Sequence, residues 1–408
     1  METKRIMIKD RENVRDEELR EAARILREGG LVAFPTETVY GLGGNALDEE
    51  AARKIYAAKG RPSDNPLIAH VSCEEEVQPL VREIPEAGRK LMEAFWPGPL
   101  TMIFPKSEKV PYGTTGGLDT VAVRMPDDPV ANRLIALAGV PIAAPSANTS
   151  GRPSPTTADH VWQDMNGRIE MIIDGGPVGI GVESTIVDVS TPIPAVLRPG
   201  AITMEMLREV LGEVTIDPAI LGPVSSDVKP KAPGMKYKHY APKADLVLVE
   251  PEGWKPAAGV TAAGEPETCM DADGSRRACL VAGKPEAGMP ETGEPEAGMP
   301  AQPGMDEAQL ARMSGKVWEL ARESLAEGRS VGIICTDESR CSYPQGLVRS
   351  IGSRHSQESV AHNLYAVMRE FDDLGVDCIF SESFSQDHLG QAIMNRLSKA
   401  AGYKIVKI

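Results

Sequence analysis

The sequence predicts an α/β protein built as two domains, a larger one around a twisted mixed sheet and a smaller Rossmann-like parallel one behind it. Three observations carry this reading. Short apolar runs of strand length recur through the first half with helical periodicities between them. An aperiodic stretch then interrupts the pattern. Beyond it, strands alternate with amphipathic helices, the signature of a parallel sheet. A length of 408 residues agrees with two or three domains on a prior of roughly 150 each.

In the first domain, about residues 1–215, Leu19, Ala22, Ala23 and Leu26 fall at i, i+3, i+4 and i+7, and Gly29-Gly30 stops that helix. LVAF from Leu31 reads as a buried strand. Asp48 caps a second helix through Tyr56, and LIAHV from Leu67 is the next strand. Further strands are expected at LTMIF (Leu100), VAVRM (Val121), PIAA (Pro141), MIID (Met171), TIVDV (Thr185) and AVLR (Ala195). Residues 216–243 have no periodicity, yet they hold Lys231, Lys236, Lys238, His239, Tyr237 and Tyr240. A plain spacer would be Gly/Ser-rich or uniformly Pro-rich, so this linker is expected to pack against something.

In the second domain, about residues 244–408, strands are expected at DLVLVE (Asp245), ACLVAG (Ala278), SVGIIC (Ser330), DCIF (Asp377) and YKIV (Tyr403). Helices are expected over 306–327, over 356–371 and up to Ala401. A Pro/Gly/Glu-rich segment near 251–305 repeats PEAGMP at Pro285 and Pro295 and is expected to be a disordered insertion.

Composition narrows the function classes. With 44 Lys+Arg and 59 Asp+Glu the net charge is −15, which argues against whole-surface affinity for nucleic acid but leaves room for a local basic cleft. No window supplies the roughly 18 apolar residues of a membrane span, and the charged start lacks the apolar core of a signal peptide. Six cysteines without a CxxC pair argue against a disulfide framework or a structural zinc. The expectation is a soluble cytoplasmic protein with no membrane partner.

Residues able to carry chemistry cluster in the first domain. PTETVYGLGGNA, from Pro35, follows a strand; Gly41, Gly43 and Gly44 would let backbone approach a ligand and leave amides free for an anion, or would simply form a tight turn. Lys59 and Arg61 stand at a helix end, where the dipole tolerates cations, or where both grip a polyphosphate. His70 lies in an apolar strand, as a core histidine or a ligand. Arg124 also lies inside a strand, so it needs either an anionic ligand or a structural carboxylate. Trp96-Pro97-Gly98-Pro99 reads as a rigid turn that buries an aromatic ring. Ser146, Asn148 and Ser154 follow the PIAA strand, where open sheets bind ligands, although Ser154 could instead cap the helix near Thr157. Glu183, Ser184 and Arg198 flank later strands. Neither a Ser-His-Asp spacing nor a Cys-His pair stands out. Together Lys59, Arg61, Arg124 and Arg198 suggest a cationic, hydroxyl-rich pocket suited to a nucleoside triphosphate and a small polar co-substrate.

In order along the chain, FPTETVYGLG, KGRPSDNPL, WPGPLT, VAVRMP, APSANTSG, VESTIVD and LRPGAIT resemble the motifs of the YrdC-like family of L-threonylcarbamoyladenylate synthases. APGMKYKHYAP, GLVRSIGSRHS and LGQAIMNRLSKAA resemble its two-domain branch. The resemblance implies a YrdC-like open twisted sheet with a concave, positively charged cavity. It implies a reaction of L-threonine, bicarbonate and ATP to threonylcarbamoyl-AMP and pyrophosphate, with Mg²⁺ held mainly by ATP phosphates and no protein metal site. The product would pass to a tRNA threonylcarbamoyl transferase complex that modifies the adenosine next to the anticodon in tRNAs reading ANN codons, and weak RNA contact is conceivable. Thr38, His70, Arg124, Ser184 and the backbone at Ala144 would surround threonine. Arg61, Asn65, Thr120, Ser146, Asn148, Ser154 and Arg198 would hold ATP. Lys59, Arg61 and Ser146 would act at the reacting phosphates, and Tyr237 or Tyr240 would close over the nucleotide. The rival readings are a double-stranded RNA-binding module, a carbamoyl-transfer enzyme with another acceptor, and a scaffold. The first lacks a long basic face, the second lacks the usual extra segments, and the third leaves Arg124 unexplained.

Overall fold

The structure, a computed structural model, describes residues 1–220, 230–233, 235, 239–252 and 305–408. The expected strand at Ala278, the proposed disordered insertion and Tyr237 lie outside the described residues.

The first sheet has eleven strands: β1 (Lys4–Met7), β2 (Val32–Phe34), β3 (Gly41–Asn45), β4 (Ile68–His70), β5 (Leu100–Pro105), β6 (Thr120–Arg124), β7 (Ile142–Ala143), β8 (Met171–Asp174), β9 (Thr185–Asp188), β10 (Ala195–Arg198) and β11 (Thr215–Ile216). Their order across the sheet is β1-β8-β2-β3-β7-β4-β6-β5-β9-β10-β11, with parallel and antiparallel neighbours mixed. Helices α1 (Asp16–Arg27), α2 (Glu49–Lys59), α3 (Glu86–Phe95), α4 (Tyr112–Thr115), α5 (Pro129–Ala138), α6 (Ala158–Met165) and α7 (Met204–Leu211) connect and cover them. Helix α1 forms where its periodicity predicts. Leu19, Ala22, Ala23 and Leu26 are all buried, sharing a cluster with Val130, Leu134 and Ile135 of α5. Helix α2 starts on Asp48, whose carboxylate accepts the Glu50 N–H, and ends at Gly60 in the left-handed conformation.

One expectation fails in an instructive way. Gly41, Gly43 and Gly44 form neither a turn nor an anion cradle; they are strand β3, paired antiparallel with β2 and β7. A Cβ on Gly43 would lie 2.7 Å from the Phe34 ring and 2.9 Å from Ile142. The missing side chain makes room for the core, and the glycine amides belong to the sheet.

The second sheet, β12 (Asp245–Glu250), β13 (Val331–Cys335), β14 (Leu347–Ser350), β15 (Cys378–Glu382) and β16 (Ile405–Lys407), runs in the order β14-β13-β15-β12-β16 and is parallel throughout. Helix α8 (Glu307–Ala326) covers one face through Met313, Val317 and Ala321, and α9 (Gln357–Leu374) and α10 (Leu389–Ala400) cover the other. The expected mixed and parallel α/β sheets are therefore both present.

The two sheets share a core boundary. Val39 and Val182 of the first domain and Tyr240 of the linker pack into the cluster of Leu364, Tyr365 and Ile393. At Gly181 (φ +90°) a Cβ would fall 2.5 Å from the Ala361 carbonyl, so α9 lies directly on that backbone. Linker residues Ala232 and Met235 pack on Ile68, Ile103, Ile186 and Leu197, as a packing rather than spacing segment should. No helix among the described residues is long and apolar enough to cross a membrane.

Candidate active site

Strand register builds the site. His70 pairs with Arg124 across β4 and β6, and Arg124 pairs with Thr101 across β6 and β5. Residues in direct register point to the same face, so these three side chains stand in a row. Leu100 pairs with Thr185 on β9, which brings the preceding Ser184 alongside. The Thr101 and Ser184 hydroxyls are 2.8 Å apart. Strand β10 ends on Arg198, whose Nε donates to the Ser184 carbonyl at 3.0 Å and whose Nη2 donates to its hydroxyl at 3.1 Å.

Of these, His70, Arg124, Ser184 and Arg198 wall a cavity of about 60 Å³, lined also by Thr38, Val39, Arg61, Ile68, Ala144, Pro145, Ser146, Glu183, Pro233, His239 and Tyr240. Of the residues expected from sequence, Thr38, Arg61, His70, Arg124, Ala144, Ser146, Ser184, Arg198 and Tyr240 meet on this wall. Lys59, Asn65, Thr120, Asn148 and Ser154 do not line it.

The reasons differ. Lys59, the last residue of α2, is 1 % exposed. Its ammonium is spent on the Ser146 carbonyl, the Asn148 carbonyl at 2.5 Å and Asn148 Oδ1 at 3.3 Å. It holds the loop that carries Ser146 and does not face the hollow, so three of the four expected cations converge. Burial, with Arg61 nearby, lowers its pKa well below the lysine value. Asn148 completes that cluster by accepting the Ser146 hydroxyl. Ser154 is fully buried and donates to Glu183, while Thr157 caps α6, so the expected capping role of Ser154 is taken by another residue. Thr120 opens β6 at the far end from Arg124, about 13 Å of strand away. Asn65 is 1 % exposed and, among the described residues, its side-chain amide has no hydrogen-bond partner at either end. A buried amide left in that state costs about 1–3 kcal/mol unless something else fills its valence.

Of the two partners expected for Arg124, a carboxylate of the chain is present beside it. Its Nη2 lies 2.6 Å from Glu37 Oε1, an ion pair by distance whose N–H does not point along the contact, so neither Nη2 nor the Glu37 carboxylate is hydrogen-bonded there. Its Nη1 donates to Thr38 Oγ1 at 3.0 Å and its Nε to the Gly98 carbonyl at 3.3 Å. His70 is equally enclosed. Its Nδ1 stands 3.1 Å from the Ile68 carbonyl, which can only accept, so that nitrogen carries the proton. Burial, helped by the Arg124 charge, pushes its pKa down to about 3, and the imidazole is neutral near pH 7. Burial also lowers Arg61 to about 10, still cationic, and lowers Arg198. Burial alone would raise Glu183, but Arg396 and Arg198 outweigh it and keep the carboxyl ionised.

Several site residues have no role in the motif reading: Glu37, Glu183, His239 and, from the second domain, Tyr365, Arg369 and Arg396. Tyr365 Oη donates to Glu183 at 3.0 Å and Arg396 Nε donates to it at 3.0 Å. Tyr240, held at φ +64°, stacks on Tyr365 with ring centroids 5.6 Å apart, and the Arg396 guanidinium lies over its ring. A signal was available: Ile393, Arg396, Leu397 and Ala400 share one helical face, so an arginine stands among apolar neighbours.

Comparisons with known proteins now bear on this geometry. Residues 24–200 match the Sua5/YciO/YrdC family profile described as "Telomere recombination", and residues 202–402 match that described as "Threonylcarbamoyl-AMP synthase, C-terminal domain". The chain is 44 % identical over 403 residues to the threonylcarbamoyl-AMP synthase of Pyrococcus abyssi, covering 99 % of each chain. It is 42 % identical over 410 residues to that of Bacillus subtilis, covering 100 % of each. Among solved structures, P. abyssi Sua5 complexed with L-threonine superposes with a TM-score of 0.79 at 42 % identity, covering 99 % of both chains.

Proposed function

We infer the activity from membership, since the chain belongs to the threonylcarbamoyl-AMP synthase family: it makes threonylcarbamoyl-AMP from L-threonine, bicarbonate or carbon dioxide, and ATP, with release of pyrophosphate. The observation that carries this reading is the convergence of Arg61, Arg124 and Arg198 on one cavity beside Thr38, His70 and Ser184. The solved relative that binds L-threonine supports the amino-acid half.

Arg124 takes the threonine carboxylate, sharing its guanidinium with Glu37. Thr38 and Ser184 offer hydroxyls, and neutral His70 adds no competing charge. Threonine's neutral amine attacks the carbon of carbon dioxide and releases a proton, or attacks bicarbonate and releases water, and the carbamate oxygen then attacks the α-phosphorus of ATP. The P–O bond to the β-phosphate breaks and its electrons leave with pyrophosphate. Arg61, Arg198 and Ser146 orient the triphosphate and offset its charge, the terms that dominate such transfers. Asn65 stands behind the cavity wall, and its part in holding the nucleotide rests on the family motif and on an amide with no hydrogen-bond partner among the described residues. The cavity wall offers guanidinium groups, hydroxyls and two imidazoles, and its one carboxylate among the described residues, Glu183, is taken up by Ser154, Tyr365 and Arg396, a set that fits Mg²⁺ carried on phosphate oxygens; when bound, that ion would neutralise phosphate charge. Pro233, His239 and Tyr240 of the linker shut water away from a product that hydrolyses. That product is handed to a tRNA-modifying transferase. The relatives' names favour this reading over binding of double-stranded RNA.

The test is incubation with ATP, Mg²⁺, bicarbonate and labelled threonine. Pyrophosphate must appear only with threonine present, together with a labelled adenylate. Threonine-independent RNA binding without pyrophosphate would favour the RNA reading instead.

A further inference from the structure

Arg396 sits on α10, in the second domain, with no exposed surface. Each nitrogen of its guanidinium donates to the first domain, Nη1 sharing its protons with Asn395 Oδ1 of the same helix at 3.4 Å. Nε donates to the Glu183 carboxylate at 3.0 Å, Nη2 to the Glu183 carbonyl at 3.2 Å and Nη1 to the Pro199 carbonyl at 2.6 Å. Those carbonyls flank the site residues themselves: Glu183 precedes Ser184, and Pro199 follows Arg198. The Glu183 carboxylate in turn accepts the Ser154 hydroxyl from the loop that begins at Ser146, and the Tyr365 hydroxyl from α9. One arginine from another domain therefore ties together three separate pieces of cavity wall.

A burial of this kind has to be justified by what it holds. A guanidinium and a carboxylate taken out of water recover their desolvation only when nearly all their valences are used. Here the fork geometry of arginine is used fully, with two backbone carbonyls and one carboxylate on three nitrogens. Arg369 of α9 repeats the pattern on the neighbouring loop, donating to the Pro153 carbonyl at 2.7 Å and to Asp164 at 2.8 Å. A hydrophobic pair would have joined the domains without addressing backbone carbonyls beside Ser184 and Arg198.

We propose that Arg396, with Tyr365 beside it, is a positioning residue for the reaction, fixing the backbone that presents Arg198 to ATP and Ser184 to the threonine beside it, so that the second domain sets the geometry of this wall of the cavity. This rests on the proposed activity. It assigns the second domain a part in that reaction without contact with substrate.

The test uses the full chain with Arg396→Met, Arg396→Lys and Tyr365→Phe, read by hydrogen exchange and by separate kinetic constants for ATP and threonine. Arg396→Met should speed amide exchange at residues 182–186 and 196–200 while β4 and β6 stay protected. It should lower kcat/KM for ATP by about 100-fold, the size expected for a misplacement near 1 Å. Arg396→Lys should recover part of that, because it keeps the charge opposite Glu183 yet cannot bridge both carbonyls. Tyr365→Phe should lose less. If Arg396→Met fails to fold, the two milder variants decide. Kinetic constants within twofold of the unmodified chain, with exchange unchanged or with only a lower melting temperature, overturn the proposal. Should the unmodified chain release no threonine-dependent pyrophosphate, the reaction assignment falls, while the exchange at 182–186 and 196–200 still supports or overturns the positioning.

Discussion

The two halves of the cavity are held in place by different means. His70 and Arg124 owe their alignment to register within one sheet, where pairing of β4, β6 and β5 sets their spacing to the interstrand distance. Glu183, Ser184, Ser154 and Arg198 lie at strand ends and in loops, and their alignment comes from Arg396, Tyr365 and Arg369 across a domain boundary. A sheet is stiff enough to place side chains without help. Loops gain equivalent rigidity only when their carbonyls and carboxylates are gripped from outside.

Acidification strikes both halves together and gives the largest effect. His70 in the sheet and His239 in the linker are both buried and neutral, with pKa values pushed down to about 3 from 6.5. Unfolding lets each take up a proton, so the unfolded state binds more protons between pH 6.5 and 3 and stability falls as pH drops through that window. At pH 5 each costs about 2 kcal/mol, about 4 together. Denaturant unfolding at pH 7 and pH 5 should show this difference. His160 on α6, pushed down to about 4 by burial, adds a comparable loss, so His70→Gln and His239→Gln should each flatten the pH dependence by about a third; an unchanged slope in either variant would mean that its histidine does not take up the proton on unfolding.

Arg124→Ala breaks the sheet-held half alone. Threonine affinity, measured by calorimetry, should fall by more than about 2 kcal/mol because a buried carboxylate loses its counter-charge, while ATP affinity changes little. A loss of a few tenths would mean that Arg124 serves Glu37 only. The smallest effect concerns substrate choice. Serine lacks threonine's methyl group, for which Val39, Ile68 and Ala144 are the apolar residues on the cavity wall, and one methyl discriminates by roughly tenfold. Equal kcat/KM for serine and threonine would remove that apolar niche from the description.

Legibility in the sequence followed the same division. Apolar runs and caps marked most strands and the helices α1, α2, α8 and α9, because burial of a periodic face leaves a local trace. Strand β3 escaped, since three glycines carry no strand propensity and their need for a pleat comes from Phe34 and Ile142 on neighbouring strands. Strands β1 and β14 escaped because their residues are largely exposed or only partly buried. Motif likeness found the cavity's cations, yet the direction of Lys59 depended on carbonyls 87 and 89 residues later in the chain. The arginine on an apolar face of α10 announced a buried charge, but nothing local named Glu183 as its partner, 213 residues away.

The cavity is far smaller than the several hundred Å³ usual for a nucleotide-sized pocket. Pro233, His239 and Tyr240 take up part of its wall, and Tyr240 does so with a backbone conformation that costs a non-glycine residue about 1–3 kcal/mol. Admitting a nucleotide along that wall therefore requires the Tyr240 ring to give way, with part of the cost already met by its backbone conformation.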